Sequence, residues 1–230
     1  MTEKSSVTIE DYLGVLFVMH RDGVPVVGAR IAELFGVSPP TVTNTLKRMA
    51  RDGLITMDDE KGVVLTEVGM ENAQSVTRRH MLSEWMLIRM LQVPWAKIHT
   101  EAHHFEHAIS EDIEEQMRAN LGNPVTCPHG NPLPGYEEIA QGWTALYGLS
   151  PKDVGILRRV HEIGENQPEF MQFLEANGLV PGVQIEVLCL LPFNQTMTVR
   201  VAEREVTIGY SIAKYIYIEK QPAESTIPPG

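Results

Sequence analysis

Four histidines and two glutamates fall within nine residues of this chain, His99-Thr-Glu-Ala-His-His-Phe-Glu-His107. In a helix, steps of three and four residues bring His103, Glu106 and His107 to one face, where two imidazoles and a carboxylate converge. That set suits a divalent transition metal: imidazole accepts manganese, iron, cobalt, nickel or zinc, and a carboxylate keeps harder ions in play. His99 lies one turn upstream on the same face, placed to serve a second site. The competing reading is a solvated polar helix face; the spacing, more than the count, favours metal.

The 230 residues make room for one large domain or two to three small ones, and 43% hydrophobic content is that of an ordinary globular protein. No apolar run approaches the roughly 20 residues that cross a bilayer, and the N-terminus carries no signal-peptide stretch, so a cytoplasmic protein with no membrane partner is expected. Only Cys127 and Cys189 occur, in very different contexts, so no disulfide framework is expected and Cys127 is available as a ligand. A net charge of −11 argues against nucleic acid for the chain as a whole. Its distribution argues otherwise for one stretch. The excess acid lies mostly in residues 80–150, whereas residues 38–51 carry Lys47, Arg48 and Arg51 and no acidic residue.

The elements around that basic stretch explain why it matters. Residues 8–21 read as an amphipathic helix with Ile9, Leu13, Leu16 and Phe17 at helical steps. A second helix runs from Val27 to Phe35 and stops at Gly36, which tolerates positive φ. Ser38 is the N-cap and Pro39-Pro40 the first turn of a third helix, Thr41 to Asp52, that buries Val42, Leu46 and Met49. Two short helices about a Gly-containing turn, the second basic outside, spell helix-turn-helix. Runs at 54–57 and 63–66, with the polar tip Asp58-Asp59-Glu60-Lys61-Gly62, add a wing. The alternative is a small helical domain with a decorative hairpin that binds no DNA.

Residues 70–120 read as mostly helical, and Met81, Leu82, Trp85, Met86, Leu87, Met90, Leu91 and Trp95 make one stretch apolar over much of its circumference. A second copy of the chain is the expected cover, against the alternative of a core helix within one protomer. Asn123 to Tyr136 is Pro- and Gly-rich, an extended loop or linker, in which Cys127 and His129 read either as a ligand arm or as ordinary linker residues. Residues 151–220 predict several short strands and a helix at Pro168 to Ala176, a small β-barrel. The tail 221–230 reads as disordered. The expected fold is thus mainly α with small β elements: a winged helix-turn-helix over residues 1–75, a helical metal-binding and dimerisation block over 76–142, and the barrel over 151–220.

Taken in order, Glu10-Asp-Tyr-Leu13, Arg30-Ile-Ala-Glu33, Ser38-x-x-Thr41-Val42, Arg51-Asp-Gly-Leu54, Leu65-Thr66-x-x-Gly69, Arg79-His80, the Glu101 to His107 segment and Gly130-Asn-Pro-x-Pro-Gly135 span nearly the whole chain. In these the chain resembles the metal-dependent transcriptional repressors of the diphtheria toxin repressor family, which ends in an SH3-like, FeoA-like barrel. The resemblance implies a homodimer bound to double-stranded operator DNA, with no small organic substrate, when metal ties the first helix to the dimerisation block. Carried over by position, the regulatory site is Asp11, His103, Glu106 and His107. Iron-sensing members of the family have a Met where Asp11 stands and a Cys where His103 stands; manganese-sensing members have the Asp but a Glu at His103. Gly14 replaces a further carboxylate of some manganese sensors. The site thus points to Mn2+ with Fe2+ close behind, and to Zn2+ or Co2+ binding in vitro. A second site is implied by His80 and Glu84 with His99. Members with Cys-Pro-His in the loop imply Cys127 and His129 beside Glu84, completed by Glu169 in preference to Glu165. The resemblance also places Ser38, Pro40, Thr41 and Asn44 toward the major groove, while Lys47, Arg48 and Arg51 suit phosphates.

Two other functions compete. His103-His-Phe-Glu-His107 satisfies the inverted zincin pattern, in which two histidines bind zinc and the glutamate activates water, so a zinc-dependent hydrolase is one. It leaves the winged helix without a role. The other is a metal-handling module that has lost DNA binding.

Overall fold

Three helices and a hairpin occupy the start of the chain in the computed structural model, which describes residues 6–58 and 62–221. The helices are α1 Val7–Arg21, α2 Gly28–Phe35 and α3 Pro39–Arg51. Leu13, Leu16 and Phe17 from α1, Ile31 from α2, and Val42, Leu46 and Met49 from α3 meet in one core. Each such side chain, fully buried, contributes about 1.5–3 kcal/mol. That packing makes helices of this length persist, since alone they would be marginal. Ser38 stands at the N-cap of α3, its Oγ 2.9 Å from Thr41 Oγ1. Pro39 and Pro40 form the first turn of that helix as expected, where a proline loses no hydrogen bond.

Strands β1 Ile55–Asp58 and β2 Gly62–Leu65 pair antiparallel from Ile55↔Leu65 to Asp58↔Gly62. Residues 59–61 of the expected hairpin tip, and the expected disordered tail from 222 onward, lie outside the described residues. Thr66 then caps the long helix α4, Glu67–Met90: its Oγ1 accepts from Gly69 N at 3.0 Å and donates to Gly53 O at 2.7 Å. A Cβ at position 69 would lie 1.8 Å from the Leu54 carbonyl oxygen. The close approach of α4 to the start of the hairpin therefore requires glycine there.

By contact the chain divides into two compact units, residues 1–83 with 103–120, and residues 84–102 with 121–230. Helix α5, Ile98–Phe105, follows α4 in the chain, and the first unit ends in α6 Glu111–Asn120. The second unit continues through β3 Thr144–Ala145, β4 Val154–Val160, α7 Glu162–Glu165, α8 Pro168–Ala176, β5 Gln184–Leu191, β6 Thr196–Val201, β7 Arg204–Gly209, α9 Tyr210–Ala213 and β8 Ile216–Lys220. Its strands form an antiparallel sheet in the order β3-β8-β4-β5-β6-β7. Leu157, Val160, Ile185, Val187, Met197, Val199, Ile216 and Ile218 fill the core beneath, with Phe170, Met171 and Leu174 of α8.

Three expectations are refined. The His99 to His107 segment is not one α-helix: α5 ends at Phe105 and residues 106–108 wind as a 3-10 turn. The tighter turn sends Glu106 inward, 2% exposed, while the His103 side chain stays 45% exposed. The apolar run is covered in part by its own chain, since Met81, Leu82 and Leu87 of α4 and Trp95 beyond it are buried, and the rest stays open to a second copy, with Met90 and Leu91 71% and 58% exposed. The Pro- and Gly-rich stretch is a loop and not a linker, because Cys127, His129, Asn131 and Leu133 are all buried.

Candidate metal centres

In the first unit, α1 and the turn after α5 bring Asp11, Glu106 and His107 together. His107 Nε2 lies 3.2 Å from Asp11 Oδ1 and 3.4 Å from Glu106 Oε1, and His103 Nδ1 lies 3.5 Å from that same Glu106 oxygen. His80 of α4 hydrogen-bonds the other Glu106 oxygen, its ring tilted against that of His103. Glu10, beside Asp11 on α1, accepts from His107 Nδ1 at 2.7 Å, and Arg79 Nη2 is 3.6 Å from the same carboxylate oxygen. Burial raises the Glu106 carboxyl, but the hydrogen bonds from His103 and His80 outweigh it and hold the group at about 2. At Asp11 burial wins and the carboxyl is raised, with His107 opposing. A buried carboxylate, a half-buried one and the His107 ring offer ligand atoms within 4.8 Å of one another, a donor set that a divalent cation completes, with the exposed His103 set beside it against Glu106.

The second unit holds another cluster. Glu84 Oε1 lies 3.2 Å from His99 Nδ1 and 3.3 Å from His129 Nδ1, and Glu165 Oε2 lies 2.8 and 3.4 Å from the same nitrogens. The Cys127 thiol, Glu84 and His129 offer ligand atoms within 4.8 Å of one another. All five residues are buried. The loop presents Cys127 and His129 through a tight turn: Gly130 N donates to Cys127 O at 2.9 Å, Cys127 N to Asn131 O at 2.8 Å, and Val160 N to His129 O at 2.8 Å. Gly130, at φ +90°, sits against β4, where a Cβ would meet Arg158 O at 1.8 Å. His129 Nε2 is 3.1 Å from Trp95 O, a carbonyl that can only accept, so Nδ1 faces the carboxylates. That fully buried Nδ1 satisfies no hydrogen-bond geometry of its own. Burial, reinforced by Glu84, pushes the Cys127 thiol far up. Burial lowers His129, yet Glu165 and Glu84 together raise it well above the usual imidazole range. Two buried carboxylates, two imidazoles and a thiol fit a metal ion better than they fit one another.

Glu169, favoured from the sequence to complete this cluster, is exposed on α8 and stands apart from it; Glu165 takes the place. Both are acidic residues in adjoining short helices, and only burial separates them. Sequence reasoning also missed Glu10, and it missed Asn131, whose Nδ2 donates to Glu165 Oε1 at 2.6 Å and to Val160 O at 2.7 Å. Asn131 lies four residues after Cys127 in the Gly130-Asn-Pro stretch, a position that reads as a turn residue. On the surface, Ser38, Pro40, Thr41, Asn44, Lys47, Arg48 and Arg51 are all exposed along α3 and its cap, opposite Val42, Leu46 and Met49. Arg48 donates to Ser6 Oγ at 2.7 Å and Arg51 pairs with Asp52 at 3.0 Å, exposed contacts that hold these cations only weakly.

Family models match three consecutive stretches: the iron dependent repressor N-terminal DNA binding domain at residues 4–63, the iron dependent repressor metal binding and dimerisation domain at 66–135, and the FeoA domain at 144–220. The iron-dependent repressor IdeR of Mycobacterium tuberculosis is 33% identical over 225 residues, covering 93% of this chain and 97% of its own. The chain belongs to the diphtheria toxin repressor family. The diphtheria toxin repressor of Corynebacterium diphtheriae is 36% identical over 192 residues, covering 79% of this chain and 84% of its own. A solved manganese-dependent transcriptional repressor in complex with manganese superposes with a TM-score of 0.80 at 27% identity, over 93% of this chain and all of that one. Members of this family are metal-dependent transcriptional repressors, and this repressor shares their architecture of winged helix, helical block and SH3-like FeoA domain.

Proposed function

We propose that this repressor binds double-stranded operator DNA as a homodimer when Mn2+ or Fe2+ occupies the centre of Asp11, His103, Glu106 and His107, and that it thereby controls metal homeostasis in the cytoplasm. Residues 1–75 read the DNA, 76–142 bind metal and dimerise, and 151–220 carry the FeoA domain. The observation that carries this reading is the convergence of Asp11 from α1 with Glu106 and His107 from the segment after α5. An ion held there biases the arrangement of α1, and with it the DNA-binding helices, by its differential affinity for that arrangement. The centre offers carboxylate and imidazole without thiolate or thioether, which favours Mn2+, with Fe2+ next; Zn2+ and Co2+ serve as probes in vitro. The second centre, Glu84, His99, Cys127, His129 and Glu165, contributes stability and a softer ligand set.

No observation favours the hydrolase. Its general base would be Glu106, whose carboxylate is 2% exposed and engaged by His80. The test is a mobility shift on the protein's own promoter, titrated separately with Mn2+, Fe2+ under anoxia, and Zn2+, for wild type and Asp11→Ala. The wild type should bind only with metal, and the variant should bind poorly at concentrations that saturate wild type. Unchanged metal-dependent binding by Asp11→Ala would remove Asp11 from the centre, and no binding under any condition would remove DNA as the partner.

A further inference from the structure

Glu10 is 5% exposed on a helix whose other buried positions, Ile9, Tyr12, Leu13 and Leu16, are apolar. A buried carboxylate costs several kcal/mol unless it is paired. Here it is paired in a specific way. Its Oε2 lies 2.7 Å from His107 Nδ1 and 3.6 Å from Arg79 Nη2, and Arg79 is itself anchored by Nη1 donating to Ile109 O at 3.1 Å. Acceptors face both ring nitrogens, but the Glu10 contact is the shortest, and with an ion between Asp11 and Glu106 the single proton of a neutral imidazole has only Nδ1 to occupy. The lone pair of Nε2 is then directed at Asp11 Oδ1, 3.2 Å away, and Glu106 Oε1, 3.4 Å away. The other tautomer would point an N–H into the space between those two carboxylates, where a cation belongs.

We infer that Glu10 is a positioning residue of the first centre, which locks His107 in the tautomer that offers Nε2 to the ion. The inference rests on the reading of Asp11, Glu106 and His107 as metal ligands. It gives two consecutive residues of α1 separate tasks: Asp11 ligates, and Glu10 orients the ligand opposite. It also means that α1 is tied to the centre by a bond made wholly of protein, Glu10 to His107, so the ion completes a half-built site instead of assembling one. Carboxylates that orient a ligating histidine in this way raise its basicity, and their loss costs 10–100-fold in metal affinity.

The experiment uses the full chain loaded with Co2+, whose paramagnetism shifts the exchangeable ring N–H resonances of bound histidines away from the rest of the proton spectrum. Wild type should show such a resonance that His107→Gln lacks, in slow exchange with water because Glu10 holds the proton. Glu10→Ala should lose that resonance to fast exchange and bind Co2+ about 10–100-fold more weakly at this centre. Glu10→Gln keeps an oxygen able to accept the same proton and should restore both, which a merely structural role for the charge would not predict. Glu10→Ala with wild-type affinity and an intact resonance, or Glu10→Gln behaving like Glu10→Ala, overturns the inference while leaving the ligands in place. Co2+ binding that shifts no resonance of His103 or His107 overturns the reading of the centre itself, and the inference with it.

Discussion

At neutral pH the second centre must shed protons before it can take an ion. Cys127 carries one, since burial and Glu84 push its thiol far above the ordinary value of about 8.5. His129 carries another, since Glu165 and Glu84 overcome the burial that would otherwise lower it. A metal needs the thiolate and a bare His129 Nδ1, so about two protons should leave per ion bound. Each proton is worth about 1.4 kcal/mol per pH unit, so affinity should tighten by about 2.7 kcal/mol, roughly 100-fold, for each unit between about pH 6 and 8. The sign follows from the raised values. Protonated His129 stabilises the metal-free fold fully below its ordinary value near 6.5, and that stabilisation is lost as pH rises through the raised value, where the His129 share of the pH dependence ends. Calorimetry in buffers of different ionisation enthalpy counts the protons directly, with Asp11→Ala as the background in all samples to weaken the first centre. Cys127→Ser should release about one fewer and Cys189→Ser the same number as the background. A heat independent of buffer, or a count that Cys127→Ser leaves unchanged, would refute the assignment of Cys127 as a ligand.

Glu165→Gln should weaken Co2+ binding at the second centre at least about 10-fold, whereas Glu169→Gln should leave it unchanged; equal effects in a metal titration would return the two helices to equal standing. Gly69→Ala forces a Cβ to within 1.8 Å of Leu54 O and should destabilise the fold by more than about 3 kcal/mol in urea unfolding. A loss under about 1 kcal/mol would show that α4 can move aside. Arg48→Ala should weaken binding to every DNA sequence alike and flatten its salt dependence, while Asn44→Ala should change base preference more than overall affinity. Selection from a randomised operator library separates the two, and an Arg48→Ala protein with altered sequence preference alone would reverse their roles.

Much of this repressor was legible in its linear pattern, because the relevant interactions are local. The apolar periodicity of 8–21, the Ser38-Pro-Pro start of α3 and the basic face of Lys47, Arg48 and Arg51 depend on residues within one or two turns of each other, and spacing reports them. The ligand types were legible for the same reason, with three histidines and a glutamate inside one short segment and Cys127 and His129 two residues apart. What the tertiary structure alone decided is which side chains share a cluster. His80 and Glu84 are four apart on α4, yet His80 holds Glu106 in one unit while Glu84 meets His99, His129 and Glu165 in the other. Glu165 and Glu169 differ in no local feature, and burial chooses between them. Glu10 has no role legible in the pattern of α1 until His107, 97 residues away, is placed against it. Each of these partners is set by packing between elements distant in sequence, and a side chain's burial, protonation and tautomer follow from that packing, which no short-range period records.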